Sequence, residues 1–268
     1  MKKFFPSELI FQIFALLVAF IVVHTVYVGI IRPNAEAFHK IEQTQIAQNS
    51  DYEPQRSLYV VLRDFEQEVC FILMFWALSI LGYKAVRVYR QQKQLKLDFV
   101  GLPEGEYVSV ETAKQASSLI RKRLPPEAQD YLLSRVMLAA IDRFSATRSV
   151  QDASSVVHSV CDSEAERVES ELSIIRYIAW AIPSVGFIGT VRGIGNALGQ
   201  AHRAVAGDIT GVTQSLGVAF NSTFIALLIS IILMFLVHAM QSSQERLVLD
   251  VRRYCDDWFV RRLRSSET

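Results

Sequence analysis

Four long apolar blocks constrain this chain more than any other feature of its sequence. Residues 9–31 form a run of 23 residues that is interrupted only by Gln12, His24 and Thr25. A helix of that length crosses the ~30 Å hydrocarbon core of a bilayer. The other blocks are residues 69–86, 177–198 and 212–240. The sequence therefore predicts an all-α integral membrane protein with four transmembrane helices and long cytoplasmic helical extensions.

The basic residues beside these blocks predict the orientation of the chain. Lys2 and Lys3 precede the first block, and Lys and Arg also cluster after the second and fourth blocks. Residues 32–68 instead hold four basic and seven acidic residues. Because Lys and Arg favour the cytoplasmic side, both termini and the middle segment are expected there. The first block is interpreted as a retained anchor, since the apolar core of a cleaved signal is only ~7–15 residues long.

These signals divide the chain into six segments. They are residues 1–32 (cytoplasmic N-terminus and transmembrane helix 1), 33–68 (periplasmic loop), 69–87 (transmembrane helix 2), 88–172 (cytoplasmic helical domain), 173–240 (transmembrane helices 3 and 4, a channel core) and 241–268 (cytoplasmic helical tail). In the fourth segment, apolar spacing predicts a helix over residues 127–144 and a second helix capped by Asp152. The second helix is expected to run unbroken into the third block, and the tail to continue the fourth. The basic cluster at residues 121–123 is either a docking surface or a solvated helix face.

Charge and composition argue against several classes of function. The formal net charge of +1 leaves no excess of cations to neutralise nucleic-acid phosphates. The basic residues after the second block are explained by topology and by contact with lipid headgroups. The three cysteines lie too far apart for a disulfide framework or a zinc site, and His39 has no second metal ligand nearby. The sequence shows no nucleophile–base pair and no phosphate loop, so no enzyme activity, metal or cofactor is expected.

The third block is rich in small residues, which lipid by itself does not favour. Gly186, Gly189 and Gly193 recur at spacings of three and four residues. Glycines at this spacing let two helix backbones approach closely, so these positions are predicted to pack against another helix.

Polar residues in the third and fourth blocks predict a site inside the membrane. Counted from the block centres, Thr190 and Thr223 lie at nearly the same depth. Asn221 and Ser222 precede Thr223 in an otherwise apolar run. Each threonine can bond a carbonyl of its own helix, but two at one depth favour a polar ion pathway. The blocks contain no Asp or Glu, so the group that binds a transported proton is expected to come from another chain.

At these residues the sequence resembles the MotA/TolQ/ExbB family of proton-channel subunits. The matching stretches are PSVGFIGTVRGI at residues 183–194 and SLGVAFNSTFIALL at residues 215–228. The resemblance implies a homopentameric ring in the bacterial inner membrane, around a dimer of a single-span MotB/TolR/ExbD-like partner. In the family that partner carries the proton-binding aspartate, and ion flow drives mechanical work. Thr190 and Thr223 fall on the family's pore threonines, and Pro183 on the proline of its third helix.

The sequence also departs from the family pattern. Val218 stands where ExbB-type chains carry an acidic residue, and the fourth block lacks the proline of flagellar stators. The subtype therefore stays open. Arg192 is expected either to reach the outer headgroups or to meet an acidic group of the partner. The alternative to a motor subunit is a membrane scaffold whose small-residue helices oligomerise without conducting ions.

Overall fold

The computed structural model describes residues 7–48, 57–95, 107, 109–123 and 125–263. Its α-helices are α1 (Ser7–Val26), α2 (Arg32–Gln48), α3 (Leu58–Val61), α4 (Phe65–Leu95), α5 (Val110–Arg123), α6 (Pro126–Gln129), α7 (Leu132–Thr147), α8 (Val150–Glu171), α9 (Ser173–Gly199), α10 (Ala201–Val205) and α11 (Thr210–Tyr254). Tyr27–Ile31 and Cys255–Phe259 are π-helical, and Val260–Arg262 is a 3₁₀ turn.

Four helical stretches are long and apolar enough to cross a membrane. They are Glu8–Glu42, Phe65–Leu95, Val150–Gly199 and Thr210–Arg262. The predicted all-helical class with four apolar helices is therefore confirmed. The chain forms two compact units, each made of two segments. The first unit comprises Met1–Gly82 and Ile174–Val237, and the second comprises Tyr83–Ser173 and His238–Thr268.

The first unit has a small buried core and an apolar outer surface. Val23, Tyr27 and Ile72 are buried together where α1, the π-helical turn and α4 meet. The Trp76 indole N–H donates to the Gln12 carbonyl at 2.9 Å and ties α4 to α1. Large apolar side chains on α1, α9 and α11 remain exposed in the isolated chain, Phe235 among them at 71%. Exposure of this kind is costly in water and is suited to contact with lipid.

The second unit is built on the packing of α7 against α8. Apolar residues at helical spacing on α7 are buried, including Val136, Ala140 and Phe144, and they meet the buried face of α8. The turn between the two helices places Arg148 in the left-handed region, with φ of 56°. The Ser149 side chain then accepts from the Asp152 N–H at 3.2 Å. Ser149 is therefore the helix cap, and the prediction of Asp152 in that position is wrong.

Several predicted boundaries differ from the structure. Part of the region expected to be a weakly patterned loop is helical over Arg32–Gln48, and α4 begins at Phe65 rather than near residue 69. The expected helix over residues 127–144 is two helices, α6 and α7, because Tyr131 is extended and the Gln91 side chain accepts the first N–H of α7. One turn residue, Leu172, lies between α8 and α9, and the two helices otherwise form the continuous stretch Val150–Gly199 that the spacing predicts.

The tail and the basic cluster lie in the second unit. α11 continues without a break to Tyr254, as the apolar spacing predicts, and buries Leu247 and Val251. The side chains of Trp258 and Phe259, near the end of the tail, lie outside the described residues, as does that of Arg123 in the basic cluster. Arg121 pairs with Asp142 at 3.3 Å on an exposed face.

Candidate ion-pathway site

The three glycines predicted to pack lie against α11 of the same chain. A methyl group added at Gly193 would come within 2.7 Å of the Ala219 Cβ and 2.8 Å of the Ser215 carbonyl oxygen. A methyl group at Gly189 would meet the Ser222 Cβ at 2.6 Å. Gly186 approaches Ala226 in the same way. α9 and α11 thus form a hairpin whose backbones lie too close for any larger side chain at these positions.

The hydroxyls of Thr190 and Thr223 meet directly across this hairpin. The Thr190 hydroxyl also lies 3.0 Å from the Ala219 carbonyl oxygen on α11. The Thr223 hydroxyl lies 3.1 Å from the Gly186 carbonyl oxygen on α9. Each threonine is therefore bonded to the facing helix and not only to its own, although Thr190 also lies 3.4 Å from Gly186 within α9.

The other two polar residues of α11 differ in their surroundings. Ser222 is fully buried against Gly189, and its hydroxyl donates to the Val218 carbonyl of its own helix at 2.9 Å. Asn221 is partly exposed. The structure therefore gathers Thr190, Thr223 and Ser222 at the contact between the helices and leaves Asn221 beside it.

Pro183 lies inside α9 and changes the hydrogen bonding of that helix. Proline has no N–H, so the carbonyl of Ala179, four residues earlier, loses its helical donor. The Ser230 hydroxyl on α11 donates to this carbonyl at 2.9 Å. The sequence reasoning missed Ser230, although a lone serine in an apolar span opposite a proline is a signal that would have indicated it.

Arg192 binds acidic residues of its own chain. Its Nη2 lies 2.7 Å from the Glu66 Oε2 and 3.9 Å from the Asp64 Oδ1. The Glu66 side chain is 6% exposed. The expectation that Arg192 reaches headgroups or an acidic group of a partner chain did not include this intrachain pair.

A second ion-pair group lies one half-turn further along α4. The Glu68 side chain is 4% exposed and accepts from the Arg32 Nη2 at 2.5 Å. The His24 Nδ1 lies 2.7 Å from the other Glu68 oxygen. We refer to Asp64, Glu66 and Glu68, with their partners His24, Arg32 and Arg192, as the α4-start cluster.

The sequence analysis placed these acids in a loop because it started the second span too late. The Asp64 N–H donates to the Gln67 Oε1 at 2.8 Å, the arrangement in which a residue in the first helical turn caps the residue before the helix. The spacing D-F-E-Q at residues 64–67 was the available signal for a helix that begins at Phe65. Burial raises the pKa of the Asp64 carboxyl above its usual range, although the nearby Arg63 and Arg192 cations oppose that shift.

In the part of the chain that the structure describes, no group of three or more His, Cys, Asp or Glu residues is arranged so that it could hold a metal ion. His39 contacts Glu42 at 3.3 Å and the Gln214 amide at 3.1 Å.

Comparison with models of known families matches residues 128–253 to the MotA/TolQ/ExbB proton channel family. This segment contains the whole of α9 and all of the α11 residues at the threonine contact. No curated protein and no solved structure matched the chain. The family is one of proton channels and not a class of enzymes. Residues 128–253 of this membrane protein are thus similar to the MotA/TolQ/ExbB proton channel family.

Proposed function

We propose that the chain is the ring-forming subunit of a proton-driven motor complex in the bacterial inner membrane. Five copies surround a dimer of a single-span MotB/TolR/ExbD-like partner, whose aspartate binds the transported proton. Ion flow through this complex is coupled to mechanical work. Both termini and the segment between the second and third spans face the cytoplasm, in keeping with the basic residues beside the spans.

The observation that carries this proposal is the direct contact of Thr190 and Thr223 within the matched segment. The two hydroxyls provide donors and acceptors within an apolar hairpin, whereas the neighbouring Ser222 hydroxyl is bonded to its own helix. The membrane-spanning parts of α9 and α11 contain no carboxylate. The pair is therefore suited to solvating a carboxylate that another chain supplies, as an ionised group in an apolar site requires.

The hydroxyl pair has a defined role in this proposal. As the partner's carboxylate passes the hairpin, a hydroxyl turns from a backbone carbonyl and donates to the ionised form. When the carboxylate binds a proton, the hydroxyl returns to Ala219 or Gly186, whose carbonyls lie within hydrogen-bond distance. The close helix contact at the glycines keeps the two hydroxyls together during this exchange.

Flux measurements on reconstituted liposomes test the proposal. The purified chain alone is expected to leave an imposed proton gradient intact. The partner is expected to be a protein with one transmembrane helix, an early aspartate in that helix and a wall-binding domain. Liposomes that contain both proteins are expected to lose the proton gradient. Replacement of the partner's aspartate by asparagine is the matched control and is expected to abolish the flux. Rapid flux from the chain alone would refute the role of the partner, and no flux from the complex would favour a non-conducting scaffold.

A further inference from the structure

We propose that Arg192 and Glu66 are positioning residues for the threonine contact, because their ion pair fixes the rotation of α9 and so keeps Thr190 against Thr223. This inference rests on the proposed function for its role in proton flow. The fixing of α9 is a property of the single chain and does not depend on that function. The proposal gives Arg192 a role within its own chain, in place of contact with lipid headgroups or with a partner protein.

Gly189 is the place where three helices meet. A methyl group added at Gly189 would lie 2.6 Å from the Ser222 Cβ of α11 and 3.2 Å from the Glu66 Cγ of α4. The nearest atoms around the other two glycines of the contact instead all belong to α11. α9 is therefore enclosed by α11 and by the start of α4 at the residue that directly precedes Thr190.

The glycine contact fixes the distance between α9 and α11 better than it fixes the rotation of α9. Side chains of one helix that fit into the grooves of another set their relative orientation, and glycine contributes none. The residues that face the glycines on α11 are small as well, namely Ala219, Ser222 and Ala226. Rotation of α9 about its axis would carry the Thr190 hydroxyl away from that of Thr223, which it contacts directly. A bond on another side of α9 would oppose that rotation.

Arg192 provides a bond on the side of α9 opposite Thr190. Two residues correspond to about 200° around an α-helix, so positions 190 and 192 lie on nearly opposite sides of it. The Arg192 Nη2 lies 2.7 Å from the Glu66 Oε2 and 3.9 Å from the Asp64 Oδ1. α9 is thus bonded to α11 through Thr190 and to the start of α4 through Arg192. Bonds on opposite sides of a helix oppose its rotation in either direction.

The burial of Glu66 makes this ion pair costly to break. The Glu66 side chain is 6% exposed, whereas the Arg192 side chain is 46% exposed in the isolated chain. Loss of the arginine would leave a buried carboxylate without its nearest cation, which is strongly unfavourable. Loss of the Glu66 charge would leave Arg192 with Asp64 still nearby. Removal of Arg192 should therefore disturb α9 more than removal of the Glu66 charge.

The first test measures the stability of the purified full chain in mixed micelles, without any partner protein. The variants are Glu66→Gln, Arg192→Met and the double variant. Arg192→Met is expected to lower the midpoint of unfolding more than Glu66→Gln. The double variant is expected to lie closer to wild type than the sum of the two single effects. Additive effects would show that the two side chains do not act as a pair and would overturn the proposal.

The second test measures partner-dependent proton flux at matched protein levels. Arg192→Met is expected to lower the flux by about tenfold, because misplacing reacting groups by even ~1 Å slows a reaction considerably. Glu66→Gln should lower it by less. Arg192→Lys should keep most of the flux, because Arg192 binds Glu66 through one nitrogen and not through a two-nitrogen fork.

A further variant shows whether Arg192 acts through the threonine contact. Thr190→Val should lower the flux by about tenfold or more in the wild-type background but by less than about threefold in the Arg192→Met background. The smaller effect is expected because the loss of Arg192 has already displaced Thr190. Equal effects of Thr190→Val in the two backgrounds would refute the positioning role.

Arg32→Met is the matched control, because Arg32 binds Glu68 of α4 in the same manner but lies on α2. It should lower the stability of the chain and leave the flux at matched levels near that of wild type. An equal loss of flux in Arg32→Met and Arg192→Met would overturn the proposal. Wild-type flux in Glu66→Gln beside low flux in Arg192→Met and the double variant would also overturn it, since Arg192 would then act on the partner. If the wild-type complex carries no flux, the proposed function fails, while the stabilities of the variants still decide whether the pair holds α9.

Discussion

At the scale of single residues, the threonine pair has fewer protons than acceptors. Thr190 and Thr223 bring two hydroxyl protons, and these face each other's oxygens and the carbonyls of Ala219 and Gly186. Two protons cannot fill these three contacts at once, so one contact is always without a hydrogen bond from the pair. A hydroxyl in this position can change partners at small cost, which is the property that a site serving a passing carboxylate needs.

Removing either hydroxyl should reduce transport without unfolding the hairpin. Thr190→Val and Thr223→Val keep the side-chain shape, and the lost bond to a charged group costs ~1.5–3 kcal/mol, a tenfold or larger drop in rate. Thr190→Ser and Thr223→Ser retain the hydroxyl and are expected to keep most of the activity. The measurement is partner-dependent proton flux at matched protein levels. Wild-type flux in both valine variants would show that the hydroxyls serve only helix packing.

A second prediction at this scale concerns the carbonyl that Pro183 leaves free. Ser230→Ala removes the donor to Ala179 and should destabilise the chain by about 0.6–1.7 kcal/mol, the range measured for bonds between membrane helices. In a Pro183→Ala background, the new N–H at position 183 bonds that carbonyl, and Ser230→Ala should cost much less. Unfolding in mixed micelles gives the four stabilities.

The control for this comparison is a serine whose hydroxyl does not donate to the Ala179 carbonyl. Ser243 donates to the Ala239 carbonyl of its own helix at 2.9 Å. Ser243→Ala should therefore cost the same with or without Pro183. Additive effects of Pro183→Ala and Ser230→Ala would mean that the hydroxyl does not compensate for the proline.

At the scale of elements, the contact between α9 and α11 depends on small residues from both helices. Gly186, Gly189 and Gly193 meet residues of α11 that are themselves small, Ala226, Ser222 and Ala219. The glycine spacing alone predicted a close helix contact but did not identify the partner helix. The partner helix is indicated by a second stripe of small residues, Ala219, Ser222 and Ala226 on α11, which recur at spacings of three and four residues.

A single methyl group at this contact should separate the helices. Gly193→Ala places a Cβ 2.8 Å from backbone atoms of Ala219 and Ser215, and overpacking of this kind costs about 1–3 kcal/mol. Gly195→Ala is the matched control, because nothing lies within 4 Å of its added Cβ and alanine favours a helix over glycine. Unfolding in mixed micelles, followed by tryptophan fluorescence, compares the two. If the Gly193→Ala and Gly195→Ala variants were equally stable, Gly193 would not lie at the close contact between α9 and α11.

Long apolar helices could be predicted from the sequence, whereas their ends required side-chain contacts that periodicity does not reveal. α4 begins at Phe65 because Gln67 caps Asp64, and α8 begins after Ser149 because its hydroxyl accepts from Asp152. A count of apolar residues misses both caps. The burial of Glu66 and Glu68 could not be predicted from a count of apolar residues either, because it depends on Arg32 and Arg192, which lie on other helices.

At the scale of the whole molecule, the exposed apolar faces of α9 and α11 bear on assembly. Phe187, Phe220 and Phe224 are each more than 60% exposed in the isolated chain. Lipid can cover such faces. Copies of the chain arranged in a ring would instead bury part of these faces against one another. The glycine contact between α9 and α11 would remain within each subunit. The similarity of residues 128–253 to the MotA/TolQ/ExbB proton channel family favours the ring that we propose.

We therefore expect the purified chain to be a ring of five in mild detergent, as native mass spectrometry would show. Gly193→Leu should break the ring, because a leucine at this contact disrupts the hairpin that presents the outer faces of α9 and α11. A substitution on the outer surface separates loss of the hairpin from loss of the ring. Phe187→Ala leaves the glycine contact intact, so it should weaken assembly with little loss of subunit stability. Five copies in both variants would exclude these faces as the assembly surface, and a monomeric wild type would count strongly against the motor subunit itself.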